Sequence, residues 1–206
     1  MPIGYWVLGE ACRQMRVWQL KFPTHLPLTV SVNISSKQFS HPHLIEEIRQ
    51  ILQQTGLEGS SLKLEITETV IMENSDSATD MLLQLQQMNI QLHLDDFGIG
   101  YSSLSYLHRF PSSALKIDRS FVSNIGKRGK NLEIIEAIIS LAHSLNIDVI
   151  AEGVETMEQL TQLQIKKCQY AQGYIFSQPL DSQSVDKLLA SSLHFQFQFP
   201  FKDEQP

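Results

Sequence analysis

The sequence predicts an α/β fold in which parallel strands curl around a shared polar interior, a TIM-like barrel, and three observations carry that prediction. Strand-like apolar runs alternate with helical stretches along the chain, the rhythm of βα units. Within each run apolar and polar residues also alternate: Val30 and Val32 against Ser31 and Asn33, Leu62 and Leu64 against Lys63 and Glu65, Leu92 and Leu94 against His93 and Asp95, Leu115 and Ile117 against Lys116 and Asp118. One face of such a strand packs under helices while the other points into a lumen. An open sheet between two helix layers would want both faces apolar. Finally, the runs end on acidic or amide residues, namely Asn33, Glu65, Asp95 with Asp96, and Glu152, and Lys116 is the cation of the series. Strand ends of a parallel barrel meet at one mouth, where such folds build active sites, so a metal-dependent reaction centre is expected there.

The elements follow in order. Ile3, Trp6, Val7, Ala11, Met15 and Trp18 recur at spacings of three and four, which predicts an opening helix with these residues on one stripe and no strand before it. A strand runs to Ile34. The next helix opens near Pro42, carries Leu44, Ile48 and Leu52 on its apolar face, and stops at Gly56. A strand through Ile66 leads to a helix marked by Ala78, Met81, Leu82, Leu85 and Met88, then to the strand ending at Asp95. A loop rich in Gly and Ser precedes the Lys116 strand. Leu132, Ile135, Ile138, Ile139 and Ala142 mark a long helix feeding Val149-Ile150-Ala151. A short helix over Thr156 to Leu163, a final strand over 170–176 and a closing helix over Ser184 to Leu189 complete about six strands, each followed by a helix. The domain is thus placed at 1–190 and a C-terminal tail at 191–206. Phe195, Phe197, Phe199 and Phe201 alternate with period two in that tail, which reads as an extension after the last helix, with an edge strand or an apolar patch as the alternatives.

Composition bounds the function. The 206 residues, 42% hydrophobic and 18% charged, suit one globular domain with a sizeable core. A net charge of -6 without a long basic run argues against a nucleic-acid polymer as partner, because that binding neutralises phosphates with Lys and Arg. A small phosphate ligand bridged by metal is compatible with it. Cys12 and Cys168 have neither zinc-ligand spacing nor a disulfide framework and read as reduced thiols. No apolar stretch approaches a membrane span and the N-terminus lacks a signal-peptide pattern, so the expected location is cytoplasmic.

Asp95-Asp96, followed by Phe97, Gly98, Ile99, Gly100, Tyr101, Ser102 and Ser103, is the densest functional signal. Adjacent carboxylates on a strand point to opposite sides, so the pair either bridges two divalent cations or splits into one ligand and one helix cap. Gly98-Ile99-Gly100 lacks the third glycine of a dinucleotide-binding turn, and the stretch from Phe97 to Ser103 reads as a lid. Glu68, three residues after Glu65, is a second carboxylate or a cap partner. Asn33 stands before a Ser-Ser turn and serves either the turn or the site. Lys116 on a lumen face demands a buried ion pair or a role in activating a nucleophile. Glu152 and Glu155 are site carboxylates or residues favoured by the next helix dipole, and Gln172 brings an amide near the mouth. His93 is expected to sit hydrogen-bonded among lumen polar groups, and residues 127–130 to form a solvated basic loop.

Taken in order, Val32 to Ser35, Glu65 to Glu68, Asp95 to Ser103, Lys116 to Asp118, Ala151 to Glu155, and Gln172 to Tyr174 with Pro179 resemble the EAL family of bacterial cyclic-di-GMP phosphodiesterases, over about residues 1 to 190. The resemblance implies a modified (β/α)8 barrel that opens cyclic di-GMP to linear 5′-pGpG with Mg2+ or Mn2+ in a two-metal site. By that resemblance Asn33, Glu65 and Asp95 would hold one metal and Asp96 the second. Lys116 would orient and polarise the attacking water, with Glu152 as the catalytic glutamate. Glu68 would hold the loop from Phe97 to Ser103, and Glu155 and Gln172 would line the site. The family's Glu-Ala-Leu motif, which supplies a metal ligand, and the substrate-binding Arg after it have no counterpart here; residues 3 to 12 resemble the helix that follows them. The resemblance therefore implies a barrel lacking about its first two strands. Such a chain would by itself turn over weakly or serve as a cyclic-di-GMP-binding or interaction module. Its exposed barrel edges would invite association, including a homodimer.

Overall fold

The structure is a computed structural model that describes residues 2–23, 28–73, 75–99, 113–127 and 129–191. Helix α1 (Pro2–Lys21) leads into β1 (Val30–Asn33), the short α2 (Ser36–Phe39) and α3 (Leu44–Thr55). A 3-10 turn (Gly59–Ser61) then precedes β2 (Leu62–Thr67), α4 (Glu68–Glu73), α5 (Ser75–Gln87) and β3 (Gln91–Phe97). The second half runs β4 (Ala114–Ile117), α6 (Arg119–Val122), α7 (Asn131–Ser144), β5 (Asp148–Glu152), α8 (Met157–Ile165), β6 (Tyr170–Gln172) and α9 (Ser182–Ala190). Among the described residues six strands form one sheet in sequential order, every neighbouring pair parallel. β1 and β6 each pair on one side alone, yet Ser31 of the first and Tyr170 and Gln172 of the last line the same cavity. The sheet is therefore curled, a partial TIM-like barrel with two edges facing across its lumen.

The period-two pattern sorts the side chains. Leu62, Leu64, Ile66, Leu92, Leu115, Ile117 and Val149 are buried under the helices, against Leu44, Ile48, Leu82, Leu85, Ile135 and Ile139. Burial of a Leu or Ile side chain is worth about 1.5–3 kcal/mol, so this shell holds the sheet in its curl. Its polar counterparts turn to the lumen. Asp118 is an exception to the expected alternation: it has left β4 and caps α6, accepting a hydrogen bond from Ser120 N–H at 2.8 Å. Gly56 ends α3 as expected, in a left-handed conformation with φ 68 and its N–H donating to Leu52 O at 2.9 Å. Both cysteines are buried free thiols, and burial pushes Cys12 up to about 11 and Cys168 up to about 12.

Two expectations change. In α1 the residues facing the core are Leu8, Cys12 and Met15, whereas Ile3, Trp6 and Val7 are exposed at 78%, 67% and 42%. A helix apolar on two faces allows two stripes to be drawn through it, and the sheet takes the one carrying Leu8. The final strand stops at Gln172 instead of reaching residue 176. Gly173 packs directly on the backbone of Val154, where a Cβ would lie 2.1 Å from Val154 O, and Ile175 N–H donates to that oxygen at 3.0 Å. The tail beyond residue 191 lies outside the described residues.

Candidate active site

Lys116 is the centre of the mouth. It rises from β4, is 2% exposed, and its Nζ lies 2.6 Å from Glu65 Oε2 on β2, 2.6 Å from Glu152 Oε1 on β5 and 3.0 Å from Asp95 Oδ1 on β3. A buried ammonium is tolerable only when anions and acceptors surround it. Burial works against its charge, but hydrogen bonds to Glu152 and Glu65 win and hold its pKa above the ordinary lysine value. The three carboxylates around it favour its charged form. It ties three strands together at the point where their carboxylates converge.

A backbone irregularity builds the rest. Between Leu94 and Phe97 the β3–β4 ladder shifts register, and Asp96 adopts φ 55. Asp is among the few residues that visit this left-handed region readily. The kink overrides the strand alternation that would send neighbouring carboxylates apart. Oxygens of Asp95, Asp96 and Glu152 consequently lie within 4.8 Å of one another. Burial raises the pKa of Asp96, with the charges of Asp95 and Asp118 adding to it. Glu152 is raised too, first by burial, while Lys116 opposes the shift and Asp95 and Glu65 reinforce it. Asp95 Oδ1 is buried and ion-paired with the Lys116 ammonium at 3.0 Å, and among the described residues it has no hydrogen-bond donor. Convergent, mutually repelling oxygens with an undonated buried acceptor fit a hard divalent cation.

The other expected site residues are placed as follows. Asn33 ends β1 in register with Glu65 but is exposed, because it lies on the unpaired edge of the sheet. Glu65 is held by Lys116 and does not join the Asp95–Asp96–Glu152 group. Glu68 opens α4 and is half-buried. Gln172 pairs in register with Glu152 at the rim, and both Gln172 and Glu155 are exposed. Phe97 is buried and Ile99 exposed at the start of the expected lid, with Gly98 at φ 100 between them; Gly100, Tyr101, Ser102 and Ser103 lie outside the described residues.

Below this layer is a cavity of about 330 Å3 lined by Lys63, Glu65, His93, Asp148 and Gln172 among others. His93 is 3% exposed, and among the described residues its Nδ1 has no hydrogen-bond partner. Burial, with the nearby charges of Lys63 and Lys116, lowers its pKa to about 4, so the ring is neutral.

The fold and site define an α/β barrel domain whose functional groups gather at the carboxyl ends of its strands. The chain belongs to the EAL domain family, whose profile matches residues 1–179. It is 42% identical over 184 residues to the cyclic di-GMP phosphodiesterase NbdA of Pseudomonas aeruginosa, an alignment covering 89% of this chain and 23% of NbdA. Its backbone is similar to that of PaMucR phosphodiesterase in complex with c-di-GMP, with a TM-score of 0.85, 41% identity, and coverage of 89% of this chain and 74% of that one. It is also similar to Klebsiella pneumoniae BlrP1 in a manganese and cy-diGMP complex, with a TM-score of 0.73, 30% identity, and coverage of 85% and 45%. The chain spans about a quarter of the length of the curated relatives it matches. No helix among the described residues is long and apolar enough to cross a membrane.

Proposed function

We propose that this domain is a cyclic-di-GMP phosphodiesterase that hydrolyses its substrate to 5′-pGpG at the Lys116 cluster, using Mg2+ or Mn2+. The observation that carries the reading is the convergence of Asp95, Asp96 and Glu152 beside the buried Lys116 ammonium. PaMucR, a phosphodiesterase solved with c-di-GMP, and BlrP1, solved with manganese and the same ligand, support it by similarity.

Asp95 and Asp96 would hold the cation, with Glu65 and Asn33 completing the set from the neighbouring strand ends. A bound divalent cation supplies positive charge to a phosphodiester and lowers the pKa of a coordinated water. The raised pKa of Glu152 suits it to accept a proton from the attacking water. The water oxygen would form the new P–O bond as the P–O3′ bond breaks, one water proton passing to Glu152 and the departing 3′ oxygen taking a proton from solvent. Lys116 keeps Glu65 and Glu152 in place and offers fixed charge to the developing phosphoryl negativity. Glu155 and Gln172 line the rim where substrate enters, and Glu68 steadies the loop that begins at Phe97.

The exposure of Asn33 on an unpaired edge favours a second reading, a domain that binds cyclic di-GMP and turns it over little. One experiment separates the two: the chain is incubated with cyclic di-GMP and Mn2+, product is followed by mass spectrometry, and binding is measured by calorimetry on the same preparation. Appearance of 5′-pGpG that Glu152→Gln abolishes supports hydrolysis. Binding without product supports the second reading, and neither binding nor product sinks both.

A further inference from the structure

We propose that Gln159 is a positioning residue of the site: its side-chain amide fixes the turn that presents Glu155 to the substrate at the rim. The inference deepens the proposed function and rests on it, since Glu155 is there given to the entering nucleotide. The turn runs from Gly153 to Thr156 and joins β5 to α8 directly behind Glu152. Gln159 is buried in the first turn of α8, and its Oε1 accepts two backbone hydrogen bonds, from Glu155 N–H at 2.8 Å and from Thr156 N–H at 3.1 Å. The Thr156 hydroxyl accepts in return from Gln159 N–H at 3.2 Å. Thr156 is the N-cap of α8, so its two bonds with Gln159 make a capping box. The bond from Glu155 N–H is no part of such a box. It reaches one residue further back, to the residue assigned to the rim.

The turn is held from three sides. Towards β6, Val154 N–H donates to Gln172 O at 3.0 Å, Ile175 N–H donates to Val154 O at 3.0 Å, and Gly173 rests on the Val154 backbone. Towards α6, Gly153 at φ 69 lies against Arg119, whose Cβ would stand 2.6 Å from a Cβ placed on the glycine. These contacts fix Gly153 and Val154. Glu155 and Thr156 follow, both exposed, and the Gln159 oxygen accepts from their N–H groups on the third side. Leu160 and Leu163, each 1% exposed, anchor α8 in the core, so Gln159 ties the turn to a rigid support. An exposed carboxylate on a flexible side chain binds a ligand better when its backbone is already ordered, because otherwise the ligand must order it. Gln159 thus acts on the substrate through Glu155. It does not act on the cation, whose proposed ligands Asp95 and Asp96 sit on β3.

The test compares Gln159→Met, which keeps the length and removes the acceptor, with Gln159→Glu, which keeps an acceptor oxygen. Both are made in the whole chain carrying Glu152→Gln, so that nucleotide is not consumed, and cyclic di-GMP binding is measured by calorimetry with Mn2+ present. Gln159→Met should bind about tenfold more weakly, the scale of one lost hydrogen bond, and Gln159→Glu should recover the affinity. Glu155→Ala should weaken binding as much, and Gln159→Met added to it should weaken it no further, since both act through one carboxylate. Mn2+ titrated alone should bind the Gln159→Met chain within about twofold of the reference, which a general loosening of the site would not allow. Amide hydrogen exchange reads the clamp in the wild type without any substitution. The Glu155 and Thr156 amides should exchange at least about tenfold more slowly than free amides, although both residues are exposed. Free exchange at these two amides would overturn the proposal, as would unweakened binding by Gln159→Met, failure of Gln159→Glu to recover it, or losses that add in the double variant. A reference chain that binds no nucleotide overturns the functional reading as well, whereas protected amides with unweakened binding overturn this inference alone.

Discussion

Replacing Lys116 by Met removes the one cation shared by Glu65, Asp95 and Glu152 and keeps the apolar stem. Removing one partner of a buried ion pair costs about 3–5 kcal/mol, since the remaining charge is left uncompensated. The folded variant limits that cost by taking up a proton. Protonating a carboxylate of ordinary pKa near 4.3 at pH 7 costs about 2.7 pH units at about 1.36 kcal/mol each, close to 4 kcal/mol and within the same range. With a urea m-value of about 2 kcal/mol/M, the midpoint should fall by about 2 M at pH 7. The sign of the pH dependence is fixed. The variant's carboxylate has a folded pKa above its unfolded value, the folded state binds the extra proton, and stability therefore falls as pH rises. Lowering the pH from 7 to 5.5 should recover about 2 kcal/mol of the loss relative to wild type. Urea unfolding of both proteins at the two pH values provides the assay. A midpoint change below about 0.5 M, or an equal loss at both pH values, would refute the electrostatic role given to Lys116.

Three further predictions concern the same structure. Mn2+ at about 100 times its dissociation constant should stabilise the wild type by about 2.7 kcal/mol, a melting rise of roughly 5–10 °C in a chain of this size, and Asp95→Asn should remove most of it in a thermal-shift titration. His93 is buried and neutral, with its pKa lowered to about 4 by burial and by Lys63 and Lys116. The unfolded state binds a proton there below pH 6.5 while the folded state does not, so this group's contribution is full above pH 6.5 and is lost as pH falls towards 4, in total about 3 kcal/mol. His93→Gln should flatten the urea midpoint over that window, and an unchanged slope would count against the buried neutral ring. Gly173→Ala forces a methyl to within 2.1 Å of Val154 O and should cost about 2–3 kcal/mol by denaturant titration, with Gly9→Ala, where a Cβ meets nothing within 4 Å, as the tolerated control.

What could be read from sequence was whatever repeats locally. Val30 with Val32 and Leu62 with Leu64 announce half-buried strands because each pair shares a face, and Gly56 announces a helix stop because a glycine enters the left-handed turn without a Cβ penalty. The polar strand ends gave the mouth, and burial of Lys116 demanded partners, though which carboxylates answered is a matter of three strands meeting. Other features depend on long-range contact. The register shift that turns Asp96 beside Asp95 arises in the pairing of β3 with β4 and has no signature in the local residues. The early end of β6 follows from Gly173 resting on Val154, about twenty residues away in the chain. Helices α2, α4 and α6 span 4, 6 and 4 residues, too few for a period to show. α1 misled because it is apolar twice over, and only packing on β1 and α3 decides which stripe goes inward.

The central claim is that the carboxylates gathered around Lys116 form a cation-dependent phosphodiesterase site. Its most direct measurement is the formation of 5′-pGpG from cyclic di-GMP by the purified chain, with Mn2+ and with chelator, for wild type and Glu152→Gln side by side. The account predicts product in the presence of Mn2+ that disappears with chelator and with the Glu152 change. Product formed equally by both proteins, or unaffected by chelator, would contradict it, as would its absence from a folded wild type supplied with Mn2+.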